Sequence, residues 1–148
     1  LIVILDQISD VRNFGAIVRS CECLGVHTIV IPHKGSAQIN SDAVKTSAGA
    51  LFKIPVCKSK SLFHTITYLK NSGIQVVSAS EKFARNCFEV DFKIPTALIL
   101  GSEDEGISED LVNISDERVK IPMTGEISSL NVSVATGICL YEVMCQRI

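Results

Sequence analysis

Residues 121–142 read IPMTGEISSLNVSVATGICLYE, and the reading of this stretch decides how the rest of the chain is understood. From Val132 onward it follows an apolar helical pattern, with a helix predicted over Asn131–Arg147. Ahead of that helix, Gly125, Glu126, Ser128, Ser129 and Asn131 crowd one polar loop. A helix start leaves backbone N–H groups without intrahelical partners and carries a partial positive charge. Ser128, Ser129 and Asn131 therefore have two readings: they cap the helix, or they present donors to an anionic group.

Working outward, Leu1–Leu5 is a continuous apolar run, as expected of a strand buried on both faces. A polar loop, Asp6–Gly15, follows, and then a helix over 16–25 stopped by Gly25. Further strands are predicted at Thr28–Ile31, Pro55–Cys57, Gln75–Ser78, Ala97–Leu100 and Arg118–Ile121. Helices are predicted over Ser41–Ala50, from a Ser61 cap to Leu69, and over Glu109–Asn113. This alternation implies an α/β fold, a largely parallel sheet with flanking helices. Lys82–Lys93 is the least regular stretch and reads as a surface loop. No repeat or low-complexity segment divides the chain, so residues 1–148 read as one domain.

The length of 148 residues and a hydrophobic content of 47% suffice for one core. A net charge of −2 gives no global basic signature, so a nucleic-acid partner would need a local patch or help from another domain. The six cysteines include no C-x-x-C pair and read as buried thiols of a reducing, cytoplasmic compartment. His27, His33 and His64 lack metal-ligand spacing, so no metal is expected. No run approaches the ~20 apolar residues of a membrane span, and no signal peptide is visible. The chain opens on LIVIL without an initiator Met, and reads as trimmed behind a targeting segment or N-terminal domain.

In open α/β sheets, ligands gather outside the carboxyl ends of the strands. Three loops qualify: Asp6–Gly15, Gly101–Gly106 and Pro122–Asn131. The first lacks G-x-G-x-x-G, and the second, GSEDEG, lacks the Lys-Ser/Thr of a phosphate loop. No G-x-S-x-G hydrolase elbow occurs. With Asn13 just before the helix and Arg19 on its second turn, both face one cleft. The competing reading is an N-cap and a solvated arginine, with Glu103 an exposed loop acid. Against it stands the expectation that all three loops open on one edge of the sheet.

Three blocks, taken together, resemble a known family. N-F-G-A-I-V-R (Asn13–Arg19), L-I-L-G-S-E-D-E-G-I (Leu98–Ile107) and I-P-M-T-G-E-I-S-S-L-N-V-S-V-A-T-G-I (Ile121–Ile138) are similar, in order, to the motifs of SpoU-type (TrmH-like) RNA ribose 2′-O-methyltransferases of the SPOUT superfamily. The resemblance implies a SPOUT catalytic domain with a C-terminal deep trefoil knot, an exception to the rule against knots. It implies S-adenosylmethionine as methyl donor, held in the knotted loops by Leu100, Gly101, Ile121, Met123, Ser129 and Leu130. It implies a homodimer, and a catalytic and substrate-orienting set of Asn13, Arg19, Glu103, Ser129 and Asn131.

The family resemblance also suggests Arg19 as general base. A guanidinium is a poor proton acceptor, and an orienting and charge-stabilising role suits it better. RNA follows from the 2′-hydroxyl target. His33–Val56, HKGSAQINSDAVKTSAGALFKIPV, looks most like the branch acting on a guanosine of large-subunit ribosomal RNA, with the transfer-RNA branch as the alternative. Lys34, Lys45, Lys53, Lys58 and Lys60 are read either as solvated or as an RNA track. A non-catalytic RNA-binding module of the same fold is the remaining alternative; intact Asn13, Arg19 and Glu103 argue against it.

Overall fold

The structure, a computed structural model, describes residues 1–148. Seven strands form one sheet: β1 (Ile2–Asp6), β2 (Thr28–Pro32), β3 (Val56–Ser59), β4 (Gln75–Ala79), β5 (Arg85–Asn86), β6 (Thr96–Gly101) and β7 (Glu117–Lys120). Five helices join them: α1 (Val11–Cys23), α2 (Ser41–Thr46), α3 (Leu62–Asn71), α4 (Glu109–Ile114) and α5 (Val132–Arg147). The strand order is β3-β2-β1-β6-β4-β7-β5, and every pairing is parallel. All carboxyl ends therefore lie on one edge, as the α/β reading requires. The chain winds outward from β1 through β2 to β3, then crosses to β4 on the far side of β6. That reversal is where such sheets open a crevice.

The apolar runs are continuous because both faces of the sheet are covered. Successive strand residues point to opposite faces. Val3, Leu5, Leu98 and Leu100 join Phe14, Ile17, Leu140 and Val143 of α1 and α5 in the larger cluster. Ile4, Ala97 and Ile99 join Leu62, Ile66, Leu69 and Leu111 of α3 and α4 in the smaller one. No helix is long and apolar enough to cross a membrane.

Several local expectations are corrected. The first helix starts at Val11, five residues earlier than its apolar pattern suggested, because Asp10 caps it by accepting from the Asn13 N–H at 2.8 Å. Asn13 and Gly15 thus lie inside α1. Gly15 is needed there for close packing: a Cβ on it would sit 2.6 Å from Thr46 Cβ of α2. The helix expected over Ser41–Ala50 stops at Thr46, where Ala48 and Gly49 turn left-handed at φ 51° and 81°.

Lys82–Lys93 is not merely a surface loop. Its two-residue strand β5 pairs with β7, and Cys87, Val90 and Phe92 are buried. The end of α5 holds the segment: Gln146 accepts from the Phe92 N–H at 2.8 Å, and Arg147 donates to the Phe92 carbonyl at 2.7 Å. The cysteines divide evenly, with Cys21, Cys87 and Cys139 buried and Cys23, Cys57 and Cys145 exposed.

Candidate active site

The loops following β1, β6 and β7 meet at the carboxyl edge. Between them lies a cleft lined by the ends of β4 and β6, the segment after β7, and the first two turns of α5. Leu100, Gly101, Ile121, Met123, Ser129 and Leu130 all line it, so every position assigned to donor binding falls on one wall system.

The loop after β6 is tightly folded. Ser102 and Gly106 form an antiparallel bridge, with the Gly106 N–H donating to the Ser102 carbonyl at 2.9 Å. A Cβ on Gly101 would lie 2.1 Å from the Gly106 carbonyl carbon and 2.4 Å from the Ile107 nitrogen. Only glycine fits, because the obstacle is backbone. Asp6, in register with Gly101 at the end of β1, secures the far side: its buried carboxylate accepts from the Ser108 N–H at 2.7 Å and the Ser108 hydroxyl at 2.6 Å.

Glu103 projects from this pinned loop to the start of α5. Its Oε1 accepts from Asn131 Nδ2 at 2.7 Å and from the Val132 N–H at 3.0 Å. Asn131 Nδ2 also donates to Asn13 Oδ1 at 3.0 Å. Asn131 Oδ1 faces the other way and accepts from the Ser133 and Val134 N–H groups at 2.9 and 3.4 Å. Asn131 is thus both cap and bridge, and the two readings of it were not alternatives. One amide joins all three motifs, leaving Asn13 Nδ2 and Glu103 Oε2 without protein partners.

Arg19 does not join this network. It is exposed, forms no hydrogen bond or ion pair, and does not line the cleft. The early helix start explains this: six residues of α-helix separate it from Asn13 by about 9 Å of rise and about 120° of rotation. Glu103 therefore fixes Asn131. Arg19 shares its face of α1 with Arg12, seven residues earlier and also exposed. Ser129 lies on the exposed loop at the cleft rim and makes no hydrogen bond.

Sequence reasoning missed Asp6, Ser80, Lys82, Ala135 and Cys139. Val132, Ala135 and Cys139 follow a three-four spacing and turn one face of α5 to the cleft, a signal present in the opening stretch. Burial chiefly, with Cys87 and Glu142 adding, pushes the Cys139 thiol up to about 12, so it serves as a neutral wall. The basic stretch Lys34–Lys60 is not one track. His33, Lys34 and Lys60 follow the carboxyl ends of β2 and β3, whereas Lys53 precedes β3 at the opposite edge and Lys45 lies on α2. No cluster of three or more His, Cys, Asp or Glu side chains could hold a metal ion.

The model of the SpoU rRNA Methylase family matches residues 1–141. The chain belongs to this family. It is 38% identical over 146 residues to the 23S rRNA (guanosine-2′-O-)-methyltransferase RlmB of Yersinia pestis, covering 99% of this chain and 59% of that protein. The Escherichia coli RlmB is also 38% identical over 146 residues, with 99% and 60% covered. The chain thus spans about three-fifths of the length of these curated relatives.

Among solved structures, the A. aeolicus TrmH/SpoU tRNA modifying enzyme is 38% identical at a TM-score of 0.90, covering 99% of this chain and 74% of that one. The SpoU methyltransferase AviRb from Streptomyces viridochromogenes, in complex with AdoMet, is 31% identical at a TM-score of 0.92, covering 99% and 60%. The parallel α/β architecture is that of SpoU methyltransferases.

Proposed function

We propose that this chain is the catalytic domain of an S-adenosylmethionine-dependent methyltransferase acting on a ribose 2′-hydroxyl of RNA, a guanosine of large-subunit ribosomal RNA first of all. The observation that carries this reading is the Glu103–Asn131–Asn13 chain of hydrogen bonds, which ties the three motifs together beside one cleft. RlmB relatives supply the ribosomal guanosine, and the AdoMet-bound AviRb structure supplies the donor. The A. aeolicus relative, a tRNA modifying enzyme at the same identity, keeps transfer RNA as the second reading. A ribosomal or transfer-RNA substrate supports the reading of a cytoplasmic protein.

The residues fit the donor. Leu100, Ile121 and Leu130 offer apolar walls to a flat base, and the bare Gly101 backbone allows close approach. The donor would supply an activated methyl carbon. The chain's own groups then orient the acceptor. Asn131, held on both sides, fixes Asn13, whose free Nδ2 can donate to a ribose oxygen. Ser129 offers a free hydroxyl at the rim. Arg12 and Arg19, aligned on α1, suit the RNA phosphates and the negative charge developing on the 2′-oxygen. Lys34 and Lys60 extend positive charge along the same edge.

A second copy of the chain completes the proposal. Val134, Ile138, Tyr141, Cys145 and Ile148 form an exposed stripe of four-three spacing along α5. Such a stripe suits a helix packed against its own equivalent across a two-fold axis.

Calorimetry with S-adenosylmethionine, followed by labelled-methyl transfer to ribosomal RNA, tests the reading. Donor binding and ribose-linked label are expected. No binding at millimolar donor overturns it.

A further inference from the structure

The cleft is acidic at its mouth. Glu81, Glu103 and Asp104 line it, and the single cation among the lining residues is Lys82. Lys82 follows the carboxyl end of β4, where its N–H donates to the Ser80 hydroxyl at 3.4 Å. Its Nζ lies 3.9 Å from where a Cβ on Gly106 would stand, so the ammonium rests against the GSEDEG loop at the rim. Despite four acidic side chains nearby in sequence or on that loop, it forms no ion pair.

The donors at the start of α5 are committed. The Val132 N–H donates to Glu103, the Ser133 and Val134 N–H groups to Asn131 Oδ1, and the Ala135 N–H to the Asn131 carbonyl. The first turn of α5 therefore has no free N–H for a carboxylate. The Ser80 hydroxyl donates to Glu81 at 3.2 Å. A ligand bearing a carboxylate would find one free positive group here, and neutral Ser129 as the only uncommitted hydroxyl on α5's side.

We infer that Lys82 is the donor-carboxylate contact, so that the cleft selects a zwitterionic amino-acid tail on its nucleoside ligand. This rests on the methyl-donor reading above. The acidic rim suits the cationic remainder of the same ligand, whose sulfonium and ammonium groups are positive, while Lys82 fixes the negative end. The ammonium is exposed and flexible, so its contribution is modest and screened by salt.

The test compares two donors by calorimetry: S-adenosylmethionine, and its decarboxylated form, which keeps the sulfonium and amine but lacks the carboxylate. Lys82→Met is expected to weaken S-adenosylmethionine about tenfold, as loss of a charge-assisted contact would. It should leave the decarboxylated donor unchanged, and Lys82→Arg should restore the lost affinity. Equal weakening of both ligands, or none of either, overturns the inference. A wild-type chain that binds neither ligand overturns the donor reading itself, so the two failures are distinguishable.

Discussion

The Asn131 side-chain amide donates to Glu103 Oε1 at 2.7 Å, and the neighbouring Val132 N–H reaches the same oxygen at 3.0 Å. A loop acid 28 residues upstream thus completes the N-terminus of the last helix. Stability and site geometry are coupled through this one oxygen.

Glu103→Ala should therefore cost about 1–2 kcal/mol, the range for a lost cap and an unpaired helix-start donor. Glu103→Gln keeps an acceptor oxygen and should retain most of that stability. Thermal unfolding separates the two. Glu103→Ala should lose methyl transfer more than its stability loss explains, because Asn131, which holds Asn13, loses a fixed partner.

Gly101→Ala forces a methyl group into the backbone of Gly106 and Ile107. The loop must move, and we expect about 2 kcal/mol of destabilisation with a marked loss of donor affinity. Gly125→Ala is the control: nothing lies within 4 Å of its added Cβ, so stability should change little. Unfolding curves with and without S-adenosylmethionine give both quantities.

The thiols should react in distinct classes. Burial pushes Cys21 and Cys139 up to about 12 and raises Cys87 as well. At pH 8 a thiol of pKa about 12 is ionised to only about one part in ten thousand. Cys23 and Cys57 should label quickly with a thiol reagent, Cys145 only when the α5 stripe is free of a second copy, and the buried three only on unfolding. The sign of the pH dependence follows. A folded-state pKa above the unfolded value near 9.0 means the native protein holds the proton longer. That stabilisation is complete below about pH 9 and is lost as the pH rises towards 12.

Tyr141→Asp or Ile138→Asp should disrupt the α5 stripe without touching the core, since both side chains are exposed. Light scattering is expected to show a monomer for the variants and a dimer for the parent chain. A parent chain that is monomeric at micromolar concentration would remove the basis for the second-copy reading.

Much of this was legible in the sequence, for identifiable reasons. Leu1–Leu5 and Ala97–Leu100 are apolar on both faces because helices cover both, and such runs are hard to mistake. The convergence of three loops follows from parallel strands, which place every carboxyl end on one edge. Sequence pattern starts α1 too late because Gly15 looks like a helix boundary, whereas it is where Thr46 approaches. The late start puts Arg19 and Asn13 on one face, and the observed start at Val11 turns them apart. Phe92 gives no sequence signal because it is held by Gln146 and Arg147, more than 50 residues away. Lys82 gave no motif signal at all, since its meaning comes only from the cleft it borders.

The most direct test is mass-spectrometric mapping of ribose methylation in RNA from cells lacking the protein. The account predicts the loss of a 2′-O-methylguanosine from large-subunit ribosomal RNA, restored by the parent protein but not by its Arg19→Ala variant. Ribosomal RNA unchanged in its methylation, with a site lost from transfer RNA instead, would contradict it.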